Sequence, residues 1–331
     1  MNKQERLIEV DHLRGLAMFA MILIHTTVYF LSDSPLIYNL WNYSQFAVPL
    51  FIFCSAYLFF NKLQFYSKKT FFAYFKKRFV RLVKPYYIFM IFFFGAILIR
   101  QPNILTPKYF FQSVFLIGGI DINWLVLLFL YFALLIPFIG YTYVKNKIIF
   151  WLFSTISLLS SILFVFVQLP INYKYIMWLP WSVVLLFTFF LVKYKMKNIF
   201  YFASIIISLC LFSFFYYIEF TRHHSLSFFD NKYPPTIYFL SFGIASISLL
   251  YFLAQKGIFD FFPINNLFNF LSKYSYSLYF IHYIFLYLIS GTFILIHFNW
   301  ITFFLSVISI SIITQLLINK IFNKPKIIVQ S

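Results

Sequence analysis

Arg14 and His25 stand eleven residues apart inside DHLRGLAMFAMILIHTTVYF, residues 11–30, a run apolar enough to cross a bilayer. At about 100° per residue, eleven steps make three turns plus roughly 20°, so both side chains share one helix face, about 16 Å apart along the axis. An ionisable side chain in hydrocarbon costs from about 3 to more than about 10 kcal/mol, so it survives only in a protein interior or a wet cavity. One face then carries a cation near one end and an imidazole near mid-membrane. Imidazole titrates close to neutrality, which suits His25 to general acid or base work. The structural alternatives are an imidazole bonded to a neighbouring helix and, for Arg14, a snorkelling cation paired with Asp11.

A second unusual stretch is LSKYSYSLYFIHYIFL, residues 271–286. Ser275, Tyr279 and His282 are spaced i, i+4, i+7 and so share a face, which places a second imidazole toward a bundle interior. Serine and tyrosine on such a face also serve as plain helix–helix hydrogen bonders. A third stretch is basic, with Arg78, Arg81 and Lys84 in KKRFVRLVK, residues 76–84. It reads either as a cluster meeting lipid phosphates or as a clamp for a soluble phosphate-bearing molecule, for which the arginine fork is suited.

The elements that must position these groups are membrane helices. Hydrophobic residues make up 63% of the 331 and charged ones 10%, too little polar surface for a soluble domain. The expected fold is an all-α polytopic membrane protein of about ten spans, roughly 12–31, 44–60, 82–100, 123–141, 148–167, 175–192, 199–217, 236–253, 274–296 and 299–321. It forms a single transmembrane domain over 1–331 with no soluble module. The first span is read as retained, because no small-residue cleavage site follows it. With both termini cytoplasmic, twenty lysines and arginines fall inside and Arg100, Lys108, Lys174, Arg222 and Lys232 fall outside. The net charge of +18 is then topology and attraction to anionic lipid, and nucleic acid is not an expected partner. Segment 61–84 is expected to be cytoplasmic and basic, and from Lys68 onward an amphipathic helix lying on the inner leaflet. The 32–43 and 101–122 segments are expected as outer loops, the latter dipping back toward the membrane. In the 218–235 loop, Glu219, Arg222, His223, His224 and Asp230 either touch a substrate or simply form a solvated loop. Cys54 and Cys210 lie in spans and read as small hydrophobes, and no metal site is expected.

Four stretches together resemble acyltransferase family 3, the integral-membrane carbohydrate O-acyltransferases. DHLRGLAMFAMILIH is similar to the family's first-helix signature, with Arg14 and His25 at its Arg-x10-His positions. VPLFIFCSAYLF (48–59) is similar to its second-helix segment, with Ser55 kept and Ala56 where glycine is usual. KRFVRLVKPYY (77–87) matches Arg-x-x-Arg-Leu-x-x-Pro through Arg78, Arg81 and Pro85, and YSYSLYFIH (274–282) matches a Ser-Tyr-Ser-x-Tyr-x-x-His segment. Trp124, Tyr131 and Pro137 make a weaker fifth match. The resemblance implies a ten-helix core in a bacterial cytoplasmic membrane that moves an acetyl or succinyl group from cytoplasmic acyl-CoA to a hydroxyl of an exported or surface polysaccharide. Taken with the residues' own chemistry, the expected site has His25, Arg14 and His282 as catalytic, Arg78, Arg81 and Lys84 as donor-binding, and Ser275, Tyr279 and Trp124 as substrate-binding. The donor is a substrate, so no permanently bound cofactor is implied; polysaccharide synthase or export proteins are implied partners. The compact size is similar to the branch that modifies the intercellular adhesin. The division of roles among Arg14, His25 and His282 stays open. The rival class is a transporter or flippase for a polysaccharide or lipid-linked sugar, which the near absence of ionisable residues in the spans disfavours.

Overall fold

The computed structural model describes residues 7–61, 68–167, 172–194, 198–290 and 298–322. Lys3, Arg6, Lys62, Lys195, Lys197, Lys324 and Lys326, residues 168–171 of an expected outer loop and the 291–296 end of the ninth expected span lie outside them. The described residues hold helices and no strand. They are α1 Ile8–Thr27, α2 Pro35–Tyr43, α3 Ala47–Phe60, α4 Lys68–Arg100, α5 Pro107–Val114, α6 Asn123–Lys145, α7 Lys147–Phe166, α8 Trp178–Lys193, α9 Asn198–Thr221, α10 Ile237–Gln255, α11 Ile264–Lys273, α12 Ser275–Ser290 and α13 Trp300–Phe322. Nine stretches among these residues are long and apolar enough to cross a membrane, and α12 is a shorter apolar helix. The protein is an all-α, multi-pass membrane protein.

α1 is the central post. It packs against α3, α10, α11, α12 and α13. By contrast α7 and α9 bury little of their apolar surface against the rest of the bundle, so they form its lipid-facing rim. Two polar bonds and one glycine fix α1 against α11. His12 Nε2 donates to Asn265 Oδ1 at 2.9 Å, and Ser272 Oγ donates to Asp11 Oδ1 at 3.0 Å. A Cβ built on Gly15 would lie 2.2 Å from the Phe268 carbonyl oxygen. Glycine is therefore needed there for close helix approach, not for an unusual φ.

Two expectations change and a third gains detail. The 32–43 loop contains α2, whose first turn is set by Ser34 accepting from the Ile37 N–H at 3.3 Å with Pro35 following it. The basic helix and the third span are one element, since α4 continues through Pro85 for 33 residues. At 1.5 Å per residue it is about 50 Å long, well beyond an apolar slab of roughly 30 Å. Its basic first half thus continues the span's own axis and is not a separate helix laid flat on the leaflet. Third, the segment after α4 holds α5 and is tied back to α4, where the Tyr86 hydroxyl donates to the Ser113 carbonyl at 2.7 Å.

Substituting Gly15 by alanine should push α1 and α11 apart and cost at least about 1–3 kcal/mol, as overpacking does. The thermal melt of the detergent-solubilised protein should drop by several degrees. An unchanged melt would show that the two backbones do not meet at this point.

Candidate active site

Three groups of side chains line up along α1. At mid-bundle, His25 Nδ1 lies 2.8 Å from His282 Nε2, with the two rings parallel to within 4°. His282 is fully buried. Its Nδ1 lies 2.8 Å from the carbonyl oxygen of Leu278, one turn back on α12. A carbonyl only accepts, so the proton of a neutral His282 sits on Nδ1 and its Nε2 is bare. That bare nitrogen accepts from His25, so the His25 proton sits on Nδ1 as well. The His25 Nε2 lone pair is what remains. Three atoms of α12, the Leu278 oxygen and the two ring nitrogens of His282, therefore choose the tautomer of His25 and leave its outer nitrogen with the free lone pair. Tyr279 closes one side at 5.9 Å between ring centroids from His282, its hydroxyl donating to the Ile122 carbonyl at 3.0 Å. Tyr283 stands edge-on to His25 at 6.1 Å.

At one end of α1 cations gather. Arg14 Nη1 lies 3.8 Å from Asp11 Oδ1, a loose ion pair. Arg78 Nη2 donates to Ser55 Oγ at 2.6 Å, which ties α4 to α3. Arg14 and Arg81 both lie within electrostatic range of Arg78. The Arg78 Nε is buried with no hydrogen-bond partner, a donor left over in a cationic recess. Arg81 is exposed at its edge. Lys84 is not in this group. Six residues beyond Arg78, it comes round to another face of α4 and lies among Phe79, Val80, Val83, Tyr87, Ile88 and Ile91, on the helix's exposed apolar side.

At the other end, lysines meet aromatic rings. Lys232, in the loop before α10, is 4% exposed and its Nζ donates to Gln45 Oε1 at 2.6 Å. The rings of Tyr233, Phe229 and Trp124 surround it at 4.8, 5.2 and 5.8 Å. It lies within electrostatic range of His25. Lys174, at the head of α8, is also buried and donates to Asn123 Oδ1 at 2.6 Å. Burial pushes the Lys232 ammonium down to about 7 from an ordinary 10.5.

Of the sequence candidates, the structure joins His25 to His282 and Tyr279, gathers Arg14, Arg78 and Arg81, and puts Trp124 among the outer rings. Ser275, half-buried at the first residue of α12, stands about 10 Å along the axis from His282, toward the basic end. The 218–235 loop residues largely fasten the loop itself: His224 Nδ1 bonds Glu219 Oε2 at 2.8 Å, Ser225 donates to Asp230 Oδ2 at 2.5 Å, and Arg222 stacks over Phe166. Sequence reasoning passed over Lys232, Gln45, Lys174 and Asn123. The available signal was Lys232 itself, a loop cation with Phe229 and Tyr233 beside it in the chain.

The family model of the acyltransferase domain matches residues 7–319, nearly the whole chain and every helix up to the last turn of α13. The chain belongs to acyltransferase family 3. No curated protein and no solved structure matches it. Membership sets the transporter reading aside, and the protein is a membrane acyltransferase.

An unfolded lysine keeps its proton to about pH 10.4, whereas folded Lys232 releases it near 7, so the unfolded chain binds more protons between these values. Stability should rise with pH across that window. The melting temperature is expected to climb from pH 7 to 9.5, and Lys232→Met should flatten much of the climb. An identical slope in the variant would show that Lys232 is not the buried titrating group.

Proposed function

We propose that this acyltransferase moves an acyl group, acetyl or succinyl, from cytoplasmic acyl-CoA to a hydroxyl of a cell-surface or exported polysaccharide, working in the bacterial cytoplasmic membrane. The observation that carries the reading is the bare Nε2 of His25, held between an arginine-lined end and a lysine–aromatic end. By the excess of inward-facing positive charge, the arginine end faces the cytoplasm. Phosphates of the donor would meet Arg78 and Arg81, with the unpartnered Arg78 Nε as a ready donor. The thioester arm would follow the Arg14 face of α1 toward His25. Lys84, on the apolar side of α4, is better placed for lipid phosphate than for the donor.

In the reaction, His25 Nε2 takes the proton of a sugar hydroxyl as its oxygen attacks the thioester carbonyl. The C–S bond breaks, the new ester C–O bond stays, and the imidazolium returns its proton to the departing thiolate. His282 does not touch the reacting atoms; it is a positioning residue, which holds the His25 tautomer and shares the charge that forms on the pair. Tyr279 and Trp124 would border the acceptor, and Ser275 lies on the donor side of the pair. Positioning side chains from several helices around one base brings most of its advantage from orientation. Synthase or export proteins that deliver the polymer are the expected partners.

His25→Ala should lower acyl transfer about 100- to 10,000-fold while the protein still accumulates in the membrane. Mass analysis of acyl ester on surface polymer checks this, and wild-type ester levels in the variant would contradict it. Arg81→Ala should raise the KM for acyl-CoA with little change in kcat, and Arg81→Lys should recover only part, because lysine lacks the planar fork. An unchanged KM would remove Arg81 from the donor site.

A further inference from the structure

Lys232 poses a chemical problem that acyl transfer to a neutral sugar does not solve. An ammonium group removed from water is costly unless it is paired. Among the described residues no carboxylate pairs with Lys232. The group has three N–H donors and one is used, on Gln45. The rest of its surroundings are ring faces, and cation–π contact with three rings offsets only part of the cost. A second buried lysine stands at the same cluster. Lys174 binds Asn123, next in sequence to Trp124, and its neighbour Tyr173 lies 5.0 Å from Tyr233. Tyr233 in turn stands 5.0 Å from Trp124. The Asp121 carboxylate acts on Lys174, Tyr173 and Tyr233 but not on Lys232. Two buried lysines thus border one linked set of rings, Trp124, Tyr233 and Tyr173, and aromatic rings are surfaces against which the C–H face of a pyranose lies well.

We propose that this cluster is an acceptor subsite selective for an anionic saccharide, one that carries a carboxylate or phosphate group near the hydroxyl to be acylated, with Lys232 and Lys174 taking the charge and Trp124, Tyr173 and Tyr233 the ring. The proposal rests on the acyl-transfer reading above and narrows its acceptor. An anion supplies the two hydrogen-bond acceptors that Lys232 lacks and restores the charge balance that its burial upsets. Lys232 acts electrostatically on His25, so a sugar held there lies on the base's side of the bundle.

Binding without donor tests this separately from catalysis. The full chain, purified in detergent, is titrated with glucuronate, with glucose 6-phosphate and with glucose, at constant ionic strength, by calorimetry. At least one anionic sugar should bind about tenfold or more tighter than glucose, the size of a hydrogen bond to a charged group. Glucuronate ahead of glucose 6-phosphate identifies the carboxylate as the recognised group, and the reverse order identifies the phosphate. Lys232→Met should abolish the preference, and Lys174→Met, measured in parallel in case the first variant folds poorly, should reduce it. Equal binding of all three sugars, no binding of any, or a preference kept in both variants overturns the proposal. Ester formation on a neutral polymer in the same preparation would leave acyl transfer standing and remove only the anionic acceptor.

Discussion

The hydrogen bond from His25 to His282 ties α1 to α12, and its surroundings make it hard to exchange for anything else. A partner lost in the bundle interior is costly, and three of the four imidazole nitrogens are bonded within the protein while the fourth, His25 Nε2, is bare. Leu278 supplies a carbonyl for one end of the chain of bonds, and that single acceptor decides where both protons sit. A backbone group of α12 thereby makes a side chain of α1 into a base. The central position of α1, with Gly15 closed down on Phe268, holds the base in place along the bundle axis.

Two kinds of positive charge flank this pair, and they differ in a way that fits different substrates. At one end the cations are arginines, partly open to solvent, with the Asp11 carboxylate 3.8 Å from Arg14. Arginine keeps its proton under all conditions and suits a mobile polyphosphate that arrives from water. At the other end the cations are lysines sealed among rings, and Lys232 is poised near neutrality. Such a group is responsive to what is placed beside it. The base between them, His25, lies on the same helix as Arg14 and within electrostatic range of Lys232.

Helical phase made much of this legible. The Arg14–His25 spacing and the Tyr279–His282 face follow from a 3.6-residue period, and the paired imidazoles lie where those faces meet. What the period does not carry is which ring nitrogens face each other, since that depends on rotamers and on the carbonyl of Leu278. The same phase argument separates Lys84 from Arg78, although nearness in the chain suggested grouping them. Continuity of α4 was hidden because its charged half lowers local hydropathy and Pro85 looks like a break, yet a proline can be carried inside a long helix when its neighbours pack around it. Lys232 was hidden by its setting: turn residues on both sides made it look like one more charge outside the membrane, when the fold turns it inward.

The nitrogen chemistry of the pair is open to direct observation. In protein labelled with ¹⁵N-histidine, near neutral pH, the signals that vanish in His25→Gln and in His282→Gln should each report a proton on Nδ1 and a bare Nε2, the less common tautomer of a free imidazole. A His25 signal showing a proton on Nε2 would contradict the account, because the atom assigned to take the hydroxyl proton would already hold one.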